Sequence, residues 1–298
     1  MDTSYLDPFD IFDLPVRKID PAALRKAYQA LMAEMKLEET GTTMRGGKRI
    51  SRDQVMQLYE HLGDPEVISA YEELATHSNI RNFLIKGDAD ALSGLDAQVI
   101  ISIGSYAFFK PVLHQQLSKC LVNSLIEGDP EGVKKVVYTV SEFSQAERND
   151  LWLPSRKWLL LQQEEVASVR ASIKGGNEPN AKIQDVADEL LISCLAELPK
   201  EFLALTDGYV RHLESLAITL VQASGRIRLA SWVLGQALKV PAFSSTHEHV
   251  HSVMEQLGIS PPTSDSPPPN TSEKVPMRFG LWIGGALILA YFVFKALS

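Results

Sequence analysis

Apolar residues recur three and four positions apart along most of this chain. The spacing is clearest in "PAALRKAYQALMAEM", "QVMQLYEHL", "PVLHQQLSKCLVNSLI", "EGVKKVVYTVSEF", "AKIQDVADELLISCLAEL", "GYVRHLESLAITLVQA" and "RIRLASWVLGQAL". Each run gathers its apolar side chains on one face of a helix. Strand-like alternation is nearly absent, with "AQVIISI" the one ambiguous run, so the pattern predicts an all-α body. Helix punctuation agrees: Asp20-Pro21 and Asp129-Pro130 each place an N-capping carboxylate before a proline at the first helical position. Two segments echo one another, "NFLIKGDADAL" from Asn82 and "NSLIEGDPEGV" from Asn123, each an apolar run, a Gly-Asp break and a new helix. Their spacing suits a small solenoid-like array of helix pairs. A glycine C-cap followed by an aspartate N-cap is also a common way to turn between helices.

The pattern changes beyond residue 257. Residues 258–277, "GISPPTSDSPPPNTSEKVPM", have no apolar periodicity and read as an extended linker. Residues 278–298 follow, with "FGLWIGGALILAYFVFKALS" from Phe279 interrupted only by Lys295. That run is about the length needed to cross a hydrocarbon core, so a transmembrane tail anchor is expected. Trp282 and Tyr291 suit the membrane interface, and Lys295 is close enough to the end to reach the headgroups. Lys274 and Arg278 precede the span, which favours an N-terminal body in the cytosol. Gly280 and Gly284 form a Gly-x-x-x-Gly step, continued by Ala286 and Ala290, a spacing that lets helix backbones approach in a homo-oligomer or against a partner's helix.

Composition narrows the classes. A content of 45% hydrophobic and 22% charged residues is that of a folded protein, and a net charge of -8 argues against a nucleic-acid partner. Cys120 and Cys194 sit far apart in apolar helical runs, as reduced core thiols do. The opening "MDTSYLDPFD" has no apolar core of a secretory signal.

Between residues 5 and 76, the stretches "YLDPFDIFDLP", "DPAALRKAYQALMAEMK" and "VMQLYEHLGDPEVISAYEEL" resemble a J domain, the module by which co-chaperones engage the heat-shock ATPase chaperone. The resemblance implies a short opening helix with Phe9, Ile11, Phe12 and Leu14 apolar, then a long second helix with Leu24, Ala27, Tyr28 and Leu31 as its stripe. It further implies third and fourth helices whose core positions are Tyr59, Leu62, Ala70 and Tyr71. The family's His-Pro-Asp tripeptide, required to stimulate the chaperone, is replaced here by Lys36-Leu37-Glu38. The stimulating activity therefore does not carry over, and the chain is similar instead to members that serve as binding or assembly modules, some by pairing with an active J protein. The connection that follows, "LEETGTTMRGGKRIS", carries Arg45, Lys48, Arg49 and Arg52, a basic cluster suited to an acidic partner and read as a solvated loop. Its "GGK" is no phosphate loop, because no glycine stands five positions before Gly47 and Arg49 replaces the required hydroxyl residue.

One motif points to chemistry. His247, Glu248 and His251 give the order His-Glu-x-x-His, in which two imidazoles one helical turn apart hold zinc and the carboxylate activates a water. A third protein ligand is needed. Met254 and Leu257 stand where the extended form of the motif has glycine and histidine, and Glu255 lies about 12 Å of helix rise from His247, too far to share an ion. Upstream, His212 and Glu214 remain as partners for the pair. The helix itself is polar on most faces, with Val250, Val253, Met254 and Leu257 as its docking stripe. Asp88-Ala-Asp90 fails as a calcium loop, since Ser93 occupies the position of the sharp-turn glycine.

The chain thus reads as a degenerate J-like domain (1–76), a helical body (77–257), a Pro/Ser-rich linker (258–277) and a tail anchor (278–298). The expected function is a non-catalytic, protein-binding adaptor or co-chaperone-like assembly factor at a membrane surface, without a cofactor. Its expected partners are a membrane complex or another J-type co-chaperone. Two alternatives belong to other classes: a membrane-tethered zinc protease using His247 and His251, and an oligomeric structural membrane subunit packing through Gly280 and Gly284.

Overall fold

The computed structural model describes residues 5–259 apart from 39, 96, 178 and 179. The described chain is mostly helical, as the apolar spacing predicts, with one β-hairpin. It divides into two compact units, Asp2–Leu117 and the residues from Ser118 onward. The sequence elements expected beyond Ile259, namely the rest of the linker, the 278–298 span and its Gly280, Gly284, Ala286 and Ala290, lie outside the described residues.

The first unit begins with α1 (Pro8–Ile11) and α2 (Pro21–Leu37), followed by strands β1 (Thr42–Arg45) and β2 (Lys48–Ser51). It continues through α3 (Arg52–His61), α4 (Pro65–Thr76), α5 (Ser78–Lys86), α6 (Ala97–Ser102) and the first half of α7 (Tyr106–Glu127). Three of these helices open on the same device, an aspartate side chain accepting a first-turn N–H with proline at the start: Asp7, Asp20 and Asp64. Most of the apolar positions singled out between residues 5 and 76 lie in the core, Ala27 being half-buried. Phe9, Ile11, Phe12, Leu14, Leu24, Leu31, Leu62, Ala70 and Tyr71 are all buried. Tyr28 and Tyr59 are half-buried because they stack flat on each other, ring centroids 3.9 Å apart, and so join α2 to α3. The ambiguous run "AQVIISI" is helical, as α6.

The unit does not end with α4. Arg81 of α5 reaches back to Asp7 and Asp10 at 2.6 and 2.8 Å. Glu73 of α4 accepts the N–H groups of Gly104 and Ser105 at 2.9 and 2.7 Å just before α7, where free backbone donors need a partner. Tyr71 packs edge-on to Phe109 with centroids 5.3 Å apart.

The second unit holds α8 (Pro130–Thr139), α9 (Gln145–Lys174), α10 (Asn180–Val186), α11 (Glu189–Ala196), α12 (Leu203–Ser224), α13 (Ile227–Ala237) and α14 (Ser244–Gln256). Its core is the long contact of α9 with α12, on which α13 and α14 also pack. Trp152, Trp158, Phe202, Tyr209, Leu213 and Leu216 are buried there. The Tyr209 hydroxyl donates to the Val186 carbonyl, which satisfies the one polar atom of a fully enclosed ring. Cys120 and Cys194 are buried thiols outside any disulfide, and burial, reinforced by Asp129, Asp188 and Glu197, pushes the Cys194 thiol up to about 12.

The paired Gly-Asp turns adopt the predicted form in both places. Gly87 and Gly128 take left-handed φ of 71° and 67°, and Asp88 and Asp129 then accept N–H bonds from Ala91 and Gly132. The first copy starts only a short 3₁₀ turn, Ala89–Leu92, whereas the second, with Pro130 in place, starts α8. At Gly128 a side chain is also excluded by packing, since a Cβ would stand 2.9 Å from that of Leu190.

Candidate protein-docking site

The residues singled out between α2 and α3 do not form a loop. Residues Thr42–Arg45 and Lys48–Ser51 pair as an antiparallel hairpin in the register Thr42↔Ser51, Thr43↔Ile50, Met44↔Arg49 and Arg45↔Lys48. The turn between them is Gly46-Gly47, with φ of 53° and 73°; such a primed two-residue turn needs left-handed backbone at both positions, and glycine supplies it without strain. The signal was present in the sequence as two glycines between "TTMR" and "KRIS". At four residues each the strands are too short for alternation to stand out against the helical pattern around them.

Side chains alternate across this hairpin, which gives it two distinct faces. On the inner face Ile50 is fully buried, and Thr43 and Arg45 both bind the Glu34 carboxylate in the last turns of α2. Lys48 donates to the Tyr5 carbonyl at 3.1 Å. The outer face carries Thr42, Met44, Arg49 and Ser51. Arg49 donates from Nε to Thr42 Oγ1 at 3.0 Å, and Met44 is 60% exposed. Four of the predicted site residues therefore have unequal roles: Arg45 and Lys48 fasten the hairpin, while Arg49 and Arg52 face solvent.

Hairpin and helix meet through a capping box. The Ser51 side chain accepts from the Gln54 N–H and Gln54 returns a bond to the Ser51 N–H, so β2 runs directly into α3. Ser51→Ala is expected to cost about 1 kcal/mol, read as a lower unfolding midpoint in urea.

Lys36, Leu37 and Glu38 close α2, and all three are exposed; Leu37 is 89% exposed, the most of any large apolar side chain among the described residues. Leu37 thus stands in water on the last turn of α2, outside the core.

The His-Glu-x-x-His segment is helical and docks as its apolar stripe predicts, with Val250, Val253 and Met254 buried, Leu257 half-buried and Thr246 buried beside them. His251 and Glu248 are exposed. His247 Nε2 lies 3.0 Å from the Val240 carbonyl oxygen, so that nitrogen carries a proton and donates. Glu214 of α12 pairs with His249 at 3.2 Å, not with His247 or His251. His212, on the same helix, is held below its ordinary value by burial and by Arg170. Among the described residues no three His, Cys, Asp or Glu side chains gather where a metal could be held. Of the motif's two histidines, His247 thus helps to seat α14 and His251 faces solvent.

Comparison of the chain with family models, with characterised proteins and with solved structures finds no match.

Proposed function

We propose that this protein is a non-catalytic adaptor, or co-chaperone-like assembly factor, that binds a protein partner through the end of α2 and the hairpin beside it. The observation that carries this is the exposure of Leu37 at the place where the resemblance to J domains puts the tripeptide. An 89% exposed leucine adds little to the core, and the hairpin that follows α2 carries the outward Met44 and Arg49, with Arg52 exposed at the start of α3. The helix order, with a short α1, a long α2, then α3 and α4 joined by Gly63-Asp64-Pro65, supports the J-like reading, as does the burial of most of the apolar positions that it implies. With Lys36-Leu37-Glu38 in place of the tripeptide, the surface recruits and does not stimulate a heat-shock ATPase. The 278–298 segment is proposed as the membrane anchor on its sequence alone; among the described residues no helix is long and apolar enough to cross a membrane.

A photo-crosslinking amino acid at Lys36 of the full chain, activated in native membranes, is expected to give one discrete adduct. Leu37→Asp should reduce that adduct at least tenfold without moving the unfolding midpoint, because an exposed substitution leaves stability within about 0.5 kcal/mol. A Leu37→Asp variant that crosslinks as before, or a full chain that accelerates a heat-shock chaperone's ATP hydrolysis, would overturn the proposal.

A further inference from the structure

We infer that β1 is an open docking strand, to which an extended acidic segment of the partner adds as a third strand. The inference rests on the adaptor reading and specifies the partner's chemistry.

The register fixes which backbone groups are free. A two-residue turn makes Arg45 and Lys48 the closing hydrogen-bonded pair, so Thr43 and Ile50 form the next one. Met44 and Arg49 are then a pair that exchanges no backbone bonds, as are Thr42 and Ser51. The N–H and C=O groups of Thr42 and Met44 therefore point away from β2, along the outer edge of β1. Among the described residues no hydrogen bond is made by either backbone group of Met44. Helix α2 meets the hairpin on its inner face. It binds Thr43 and Arg45, whose side chains stand on the sheet's inner face, through Glu34.

Proteins ordinarily blunt such an edge with proline, a bulge, an inward charge or a covering helix. Along Thr42–Arg45 there is no proline, and the one inward charge, Arg45, is paired with Glu34 and stands at the turn end of the strand. An open edge with a half-exposed methionine in its centre offers main-chain bonds for affinity and one side-chain contact for specificity, which is the geometry of strand addition.

Charge selects the occupant. Residues 40–52 contain four basic residues and no acidic one, in a chain whose net charge is -8. Arg45 is neutralised by Glu34, which leaves Arg49 on the outer face and Arg52 at the start of α3 as exposed cations. A second copy of this chain would bring the same cations together across the joint, whereas an acidic strand with an apolar residue opposite Met44 satisfies both charge and pairing.

The test uses the full chain in detergent and a fluorescein-labelled octapeptide of alternating valine and glutamate. Fluorescence anisotropy should show binding that weakens with salt. Methylating the peptide's backbone nitrogens at every second residue should weaken it at least tenfold, as should Arg49→Glu with Arg52→Glu. Hydrogen exchange at Thr42 and Met44 should slow in the complex. Equal binding of the N-methylated peptide would overturn strand addition. So would an oligonucleotide of equal charge that binds as tightly and protects the same amides, because the site would then be a polyanion patch. If the Lys36 crosslink to the native partner persists while exchange at β1 is unchanged in that complex, the docking strand is wrong and the adaptor reading stands. If the crosslink is also absent, both fall.

Discussion

Arg81→Met should lower the stability of the Asp2–Leu117 unit by about 3 kcal/mol. The reason is Asp7, whose side chain is only 3% exposed and whose carboxylate accepts from Arg81 Nε at 2.6 Å, from the Phe9 N–H at 2.9 Å and from the Tyr5 hydroxyl at 3.3 Å. Arg81 also bridges to Asp10 and lies over the Phe9 ring, 5.7 Å from its centroid. Burial alone would pull the guanidinium's pKa down, but the hydrogen bond and charge of Asp7 and the charge of Asp10 outweigh it, and the net shift is upward. Without the arginine, a buried carboxylate keeps two neutral donors and no countercharge, which is the costly half of a broken buried pair. The double variant Asp7→Asn, Arg81→Met should recover at least half of the loss, since the orphaned charge is then gone.

The two units can be read separately in one titration. The described tryptophans, Trp152, Trp158 and Trp232, lie in the second unit with Tyr138 and Tyr209, whereas Tyr5, Tyr28, Tyr59, Tyr71 and Tyr106 lie in the first. With Tyr138 and Tyr209 changed to phenylalanine, so that the tyrosines left among the described residues all lie in the first unit, Arg81→Met should shift the transition followed by tyrosine near-ultraviolet dichroism and leave that followed by tryptophan fluorescence in place. Equal shifts in both, or none, would refute this account of the Asp7 cluster.

That cluster marks a limit of reading the chain in one dimension. The helices were legible because burying one stripe at a 3.6-residue period leaves a local trace, and so were their starts at Asp20-Pro21 and Asp129-Pro130. The stripe of α14 was legible for the same reason. Arg81 and Asp7 are 74 positions apart, and neither stands out from the other charges around it. The same holds for Glu73 at the entry to α7 and for Glu214, whose partner proved to be His249, a histidine outside the zinc pattern. In the candidate site the residue identities were legible and their division of labour was not. Arg45 and Lys48 look like Arg49 and Arg52 until the hairpin's alternation turns one pair inward and leaves Arg49 on the outer face.

The second large effect concerns α14, the helix that carries the His-Glu-x-x-His order. Its first residues have no capping side chain of their own, Phe243 standing at the N-cap. Asp207 of α12 caps it from outside, accepting the Phe243 N–H at 3.0 Å on one oxygen and Arg211 Nε at 2.9 Å on the other. Arg211 in turn donates to Thr246 Oγ1 at 3.0 Å, so one buried carboxylate organises the whole docking corner. Asp207→Ala removes the acceptor of the part-buried Phe243 N–H and leaves Arg211 with Thr246 but no carboxylate, at a cost of about 2 kcal/mol. Amide exchange across Ser244–Gln256 should accelerate more than in any other helix of the second unit, and unchanged protection there would sink the assignment.

The corner also has a pH signature. Burial pushes the Asp207 carboxyl upward, but hydrogen bonds from Thr246, the Phe243 N–H and Arg211, together with the charge of Arg211, hold it below its ordinary 3.8. A folded value below the unfolded one means that its contribution is complete above about pH 5 and is lost as pH falls through 3.8 to the folded value. Asp207→Asn keeps an acceptor for Phe243 but carries no titrating charge. It should retain part of the docking stability at neutral pH, and its stability should fall less steeply than the wild type's between pH 5 and pH 3. Parallel acid limbs for the two proteins would place the pH dependence elsewhere in the second unit.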